Sequence, residues 1–324
     1  MTEKRDREGR SVKTVLGLLG PEQIGVTSMH EHILWLLPGW QFAPEAGELF
    51  PREEVFATIK KDLLDYKAAG GQTIVDCTGI GLGRDVEFSA ALSRETGVNI
   101  VCSTGFWAGT KILPFFALKD LDYHVALYVR ELTEGMGTTN VRAGVIKVGN
   151  GRQGITPLEE LTYRAAARAS RKTGAAIITH GVNFALQHLE ILLQEGADPE
   201  RIVISHCDAA YNLNLQRDIE IAKKGAYVAY DHIGIEPRGS HALYAMGDAK
   251  RVELCKAFLE AGYAKHLVIS CDTDGFAIHE SRGTQAQAYD HLLRNFVPLL
   301  RSAGVAEETI RLLLVETPRR ILPF

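Results

Sequence analysis

Short apolar, β-branched runs alternate along the chain with longer segments whose apolar residues recur every three or four positions. That rhythm is the one a parallel sheet with crossover helices produces. Eight runs read as strands, at 24–29, 73–77, 99–103, 142–148, 175–179, 201–205, 226–230 and 266–271. Helical periodicity fills 52–69, 157–172, 184–194, 215–224, 249–260 and 284–303. Local chemistry agrees with those assignments. Thr156-Pro157-Leu158-Glu159 combines an N-cap, a proline at the first helical position and a capping-box glutamate. Gly70, Gly174, Gly196, Gly225 and Gly262 each stand where a helix closes before the next strand. Eight βα units with no linker rich in Pro, Ser or charge predict a closed (β/α)8 TIM barrel, a single domain over 1–324 with 1–13 as a flexible N-terminal extension. The competing architecture is an open doubly wound sheet, whose glycine-rich turn after the first strand is missing here.

Composition narrows the function more than the fold. The chain has 324 residues, 46% hydrophobic and 23% charged, ordinary values that exclude a disordered, collagenous or coiled-coil protein. Net charge is −4 and the Lys and Arg are scattered, so no basic stripe marks a nucleic-acid partner, and small-molecule chemistry becomes the expectation. Five cysteines, an odd number without CxxC spacing, read as free thiols in a reducing compartment. The polar N-terminus lacks the apolar core of a signal peptide, and no run approaches the ~18 apolar residues of a membrane span. The expectation is therefore a cytoplasmic protein without a membrane partner.

Two insertions, at 33–51 and 233–248, would lie over the C-terminal mouth of such a barrel, where βα loops build active sites. The histidines point to the same place. His30 and His32 follow the first strand, His180 the fifth, His206 the sixth and His232 the seventh, while Asp272 ends the eighth. Residues two apart on a strand share a face, so His30 and His32 project together into the barrel while Glu31 points away. Nitrogen donors with a carboxylate suit zinc, or manganese, cobalt or iron. Five protein ligands exceed the ~3 that an open catalytic zinc uses, which suggests two metals.

Lys147 is the one charged residue within the apolar run Val145-Ile146-Lys147-Val148. An ammonium buried beside divalent cations is desolvated and repelled, whereas a neutral amine can add carbon dioxide and become a bridging carbamate. A lysine paired with an acid, or reaching solvent, is the alternative reading.

The ordered set His-x-His, Lys147, His180, His206 and Asp272 resembles the phosphotriesterase family of the amidohydrolase superfamily. So does the local wording: Val145-Ile146-Lys147-Val148-Gly149, Ala165-Ala166-Ala167-Arg168-Ala169-Ser170, Ile178-Thr179-His180, Asp231-His232-Ile233, Ala261-Gly262-Tyr263 and Val297-Pro298-Leu299-Leu300. The resemblance runs from about residue 20 to residue 322. It implies a binuclear centre in which His30, His32 and Asp272 hold the more buried ion and His180 and His206 the more exposed one. Carboxylated Lys147 and a hydroxide would bridge them, and Asp272 would accept the proton as the hydroxide attacks. By the same resemblance His232 relays that proton with Asp208 as its partner, Trp107 lines the pocket, and a homodimer is expected. Trp35, Trp40 and Phe42 in the first insertion suit a pocket wall or a dimer contact.

Departures from the family pattern bear on substrate. Ala209 stands where organophosphate-hydrolysing members carry a second aspartate, and Thr273-Asp274-Gly275 replaces their aromatic and aliphatic residues. Arg238 and His241 in the seventh loop could meet an anionic group of a substrate, or simply be solvated. These features favour a lactone or carboxylic-ester hydrolase with promiscuous phosphotriesterase activity over a true phosphotriesterase. A non-catalytic barrel is the remaining alternative.

Overall fold

The computed structural model describes residues 9–181, 183–236, 245–278 and 288–324. The chain opens with an antiparallel hairpin, β1 (Val12–Thr14) and β2 (Gly17–Leu19). Nine parallel strands follow: β3 (Thr27–Trp35), β4 (Thr73–Asp76), β5 (Asn99–Gly105), β6 (Val145–Gly149), β7 (Ala176–His180), β8 (Ile202–Ile204), β9 (Tyr227–Tyr230), β10 (Leu267–Ile269) and β11 (Asp274–Ala277). Their order is β10-β9-β8-β7-β6-β5-β4-β3-β11. Seven helices alternate with them, at Arg52–Ala68, Val86–Thr96, Leu121–Thr133, Pro157–Thr173, Ala185–Gln194, Leu215–Lys223 and Asp248–Glu260. This is the (β/α)8 barrel that the alternating pattern calls for, with helices outside and strands inside.

The eighth staves of the barrel are one segment that changes neighbours. β10 hydrogen-bonds β9, and after a break β11 hydrogen-bonds β3, pairing Asp274 with His32. Within the break, the Asp272 N–H donates to the His30 carbonyl (3.0 Å) and the His32 N–H to that of Thr273 (2.8 Å). Glu31 holds the turn from the far side of the strand. Its buried carboxylate accepts from the backbone N–H groups of Cys271 (3.2 Å) and Thr273 (2.6 Å), and from the hydroxyls of Ser28 (2.5 Å) and Ser270 (2.9 Å). Asp272, between them, has a left-handed backbone with φ 53°. An eighth strand running unbroken through 266–271 is therefore corrected to two short strands around a pinned turn.

Inside the barrel, Met29, Val75, Val101, Val145, Ile178, Val203, Ala229 and Val268 form one buried cluster, joined by Val12, Ile24, Ile321 and Leu322. Val12 and Lys13 belong to a strand and are buried, so the free extension cannot reach to residue 13; residues 1–8 lie outside the described residues. The Lys13 ammonium sits 3.0 Å from the centre of the Phe324 ring. Helix signals match closely. Thr156 and Glu159 make the reciprocal capping box, and Gly174 takes φ 84° at the C-cap, a left-handed conformation that a Cβ would strain. The segment Gly149-Asn150-Gly151-Arg152-Gln153-Gly154 has dinucleotide-loop glycine spacing, but the Glu159 carboxylate already accepts the Gly151 N–H (2.9 Å), so this helix start holds its own anion. The expected helix over 284–303 is described from residue 288, where a π-helical turn, Leu292–Phe296, leads into Val297–Ser302.

Replacing Glu31 by Ala should remove four hydrogen bonds at the closure and leave buried N–H donors unpaired. The expected loss is about 3 kcal/mol of unfolding free energy in urea titration. A variant as stable as the parent would show that β11 closes the barrel without it.

Candidate metal centre

β3 begins three residues later than the apolar run and extends to Trp35, so His30 and His32 lie within the strand rather than after it. The alternation argument still holds, because both side chains reach the same carboxylate. His32 Nε2 lies 3.1 Å and His30 Nε2 3.4 Å from Asp272 Oδ1. On the neighbouring staves, Lys147 Nζ is 2.6 Å from His30 Nε2, and His206 Nε2 is 2.7 Å from His180 Nδ1. His206 Nδ1 lies 3.9 Å from Asp272 Oδ2. The sequence-derived set of His30, His32, Lys147, His180, His206 and Asp272 is thus gathered in one place at the C-terminal ends of the strands.

Lys147 is fully buried, and among the described residues it enters no ion pair; its other contact is the Thr179 carbonyl at 3.4 Å. Lys147 is thus neither exposed to solvent nor paired with a described acid. His206 (φ 61°) and Asp272 (φ 53°) are the non-glycine residues with left-handed backbones among those described. Such strain persists where surrounding structure over-determines it, typically at functional sites. Both are candidate ligands.

Asp231, at the end of β9, organises the rings. Its two oxygens meet His30 Nδ1 (2.7 Å) and His206 Nδ1 (3.0 Å), and Oδ1 also accepts the His206 N–H (2.8 Å). A carboxylate at Nδ1 fixes the tautomer and presents Nε2 to the centre, the usual outer support of a metal-bound imidazole. His32 is oriented likewise by Thr78 Oγ1 at its Nδ1 (3.0 Å). No motif in the sequence assigns Asp231 a role. Its one signal was position, a carboxylate ending a strand beside His232.

Electrostatics separate the donors. Burial, then Lys147, push His30 down to about 3, and burial with His206 drives His180 well below its ordinary value, so both are neutral and able to bind metal. Burial also opposes charge on His32 and His206, but Asp272 at the first and Asp231 at the second outweigh it and raise both. Asp272 itself is held far below the carboxylate range: burial disfavours its charge, yet His30, His32 and His206 prevail. Its Oδ1 is buried and makes no aligned hydrogen bond although two ring nitrogens stand near. A buried carboxylate oxygen left without a hydrogen bond between two imidazole nitrogens is what a cation would satisfy, so these residues fit a divalent metal. His30, His32 and Asp272 group tightly enough to share one ion, as do His206, His232 and Asp272.

His232 stacks on His206, with ring centres 4.3 Å apart and planes 4° apart. Its Nε2 is 3.7 Å from Asp272 Oδ2 and its Nδ1 is 3.7 Å from Asp208 Oδ1. Asp208 is buried and accepts the His232 backbone N–H (3.1 Å). The expected partners are adjacent, with the firm hydrogen bond on the backbone rather than the ring. Trp107 packs against His180 (4.6 Å), Trp35 against Trp107 (5.0 Å), and His32 against Trp35 (5.1 Å), an aromatic arc along one side of the centre. Trp40 packs on Phe50, and Phe42 is exposed. Arg238 and His241 lie outside the described residues.

Comparison with known proteins places the chain in a family. The model of the phosphotriesterase family matches residues 10–322. The chain belongs to the phosphotriesterase family. Within that family it is 30% identical to the aryldialkylphosphatase of Saccharolobus solfataricus, over 92% of this chain and 95% of that protein. An organophosphorus hydrolase variant from Deinococcus radiodurans superposes with a TM-score of 0.87 at 31% identity, covering 96% of this chain and 97% of that one. A PTE-like lactonase variant from the same organism gives 0.85 at 31%, covering 96% and 100%. The chain is thus a phosphotriesterase-family hydrolase.

Asp231→Asn should leave the fold intact but weaken the hold on both imidazoles. Metal affinity, read by titrating chelator-treated protein, is expected to fall about 10- to 100-fold. Unchanged affinity would assign Asp231 a purely structural role.

Proposed function

We propose that the protein is a binuclear metal-dependent hydrolase that opens lactones or carboxylic esters and acts more weakly on phosphotriesters. The observation that carries this reading is the convergence of His30, His32, Lys147, His180, His206 and Asp272 at one buried point. When bound, two divalent ions, zinc by preference, would polarise the oxygen of the bond under attack and lower the pKa of a water to the neutral range. His30, His32 and Asp272 would hold the inner ion and His180 and His206 the outer one. Lys147, carrying carbon dioxide as a carbamate formed with loss of a proton, would join them.

The remaining steps belong to the side chains. Asp272 Oδ2 faces His232 Nε2 at 3.7 Å, and Asp208 stands at the opposite ring nitrogen, so a proton taken by Asp272 has a path outward through His232. The Trp35–Trp107 arc offers an apolar wall to an acyl or leaving group. Ester and phosphotriester substrates both develop negative charge on the carbonyl or phosphoryl oxygen, which bound metals would stabilise alike, so one site would serve both. Ala209 and the polar Thr273-Asp274-Gly275 segment favour the acyl substrates. A true phosphotriesterase is the second reading, supported by the likeness to an aryldialkylphosphatase and an organophosphorus hydrolase. The exposed Phe42 on the first insertion suits a homodimer contact. All five cysteines are buried and unpaired, in keeping with a cytoplasmic setting, and no helix among the described residues is long and apolar enough to cross a membrane.

Elemental analysis should find two ions per chain, and chelation should abolish hydrolysis; full activity in metal-free protein overturns the reading. A rate panel of γ- and δ-lactones, aryl esters and dialkyl aryl phosphates should rank acyl substrates first, and the reverse ranking establishes the second reading.

Lys147→Ala should lose metal and reduce activity by about three orders of magnitude, with partial recovery on adding short carboxylic acids that replace the carbamate. Full metal content in this variant removes the carbamate from the scheme.

A further inference from the structure

Behind His232 lies a buried cation that neither the motif set nor the ligand geometry uses. Arg251, on the helix Asp248–Glu260, is fully buried. Its Nε donates to Asp208 Oδ2 at 3.0 Å. One terminal nitrogen reaches the Met246 carbonyl and, at 3.4 Å, Asp248 Oδ1; the other donates to the Ile235 carbonyl at 3.1 Å. Met246 and Ile235 bracket the seventh loop, and the Met246 N–H itself donates to the Ile235 carbonyl (3.2 Å). Asp248 Oδ1 accepts the Gly234 N–H (2.8 Å), and its Oδ2 meets His291 Nε2 (2.7 Å). A single guanidinium therefore touches the carboxylate beside His232, both ends of the seventh loop and the start of the following helix.

That pattern exceeds what stabilising the helix would need. A buried guanidinium requires a compensating carboxylate, and Asp248, three residues away on the same helix, is within reach. The fork pairs with Asp248 and also reaches across, at a shorter distance, to Asp208, whose carboxylate accepts the backbone N–H groups of Asp231 (3.2 Å) and His232 (3.1 Å). The planar, five-donor group spans three acceptor directions that an ammonium on a flexible stem cannot hold at once. We propose that Arg251 is a positioning residue that locks the Asp208 carboxylate, and through it His232, to the stem of the seventh loop. The inference rests on the reading in which Asp272, His232 and Asp208 move the proton. Its consequence is that the stem residues Ile235 and Met246 and the proton path share one anchor, so a change in the stem is felt at His232.

The test uses the metal-loaded enzyme with an aryl ester of poor leaving group and four proteins: wild type, Arg251→Lys, Asp208→Asn and the double variant. Arg251→Lys should lower kcat about 10-fold with KM changed less than about 3-fold, and in the Asp208→Asn background the same change should cost less than about 2-fold. Amide hydrogen exchange supplies a reading independent of catalysis. In Arg251→Lys the amides of Asp231, His232 and Gly234 should exchange at least about 10-fold faster, while those of β6 keep their protection. In Arg251→Ala, added methylguanidinium should restore part of the lost kcat; should that variant fail to fold, the lysine series decides alone. Losses that multiply in the double variant, or unchanged exchange at 231–234, overturn the proposal. Wild-type kcat in Asp208→Asn instead overturns the proton path, whatever the exchange data show for Arg251.

Discussion

The mouth of this barrel depends on how its last staves are stitched to its first. Between β10 and β11 the chain leaves one neighbour and takes another, and the turn is held by His30 and His32 backbone bonds on one side and the Glu31 carboxylate on the other. Without that stitch Asp272 would have no fixed place, and among the described residues it is the one carboxylate near His30, His32, His206 and His232 together. The same three residues of β3 therefore do two jobs. The histidines face inward as donors, and the glutamate between them faces outward and closes the sheet. Strand alternation makes this division possible, since neighbouring side chains must take opposite faces.

A second layer turns a cluster of histidines into an ordered set. Asp231 fixes two rings from behind, Thr78 a third, and stacking against His206 sets the plane of His232. Each ring thus presents a chosen nitrogen, and the ring charges follow: His30 and His180 are kept neutral by burial and neighbouring positive groups, while the acids lift His32 and His206. Burial alone would make every imidazole neutral. The differences arise from the balance at each ring: Lys147 beside His30 and His206 beside His180 add to burial, whereas Asp272 at His32 and Asp231 at His206 overcome it.

Much of this was legible in the sequence, because the features concerned are local. Short β-branched apolar runs marked the strands, Thr156 and Glu159 marked a helix start, and His30 and His32 could be assigned to one face by counting. Residues whose role depends on tertiary closure were not legible. Nothing near Arg251 in the chain announces that its partner is Asp208, 43 residues away. Asp231 gains its meaning only from His30, 201 positions earlier. The left-handed backbones of His206 and Asp272 were equally hidden, since local propensity assigns that conformation to glycine. The true bounds of β3 were obscured because His30, Glu31 and His32 interrupt the apolar run that would have marked it.

The aromatic arc beside the centre gives the molecule a built-in optical reporter. The chain has three tryptophans, and two of them, Trp35 and Trp107, lie within 5.1 Å of a candidate ligand ring. Imidazole protonation and nearby divalent ions both alter indole emission, so the intrinsic fluorescence of this protein is weighted toward the site itself. Occupancy of the barrel mouth is written in its emission spectrum, with Trp40, on Phe50, as the internal reference.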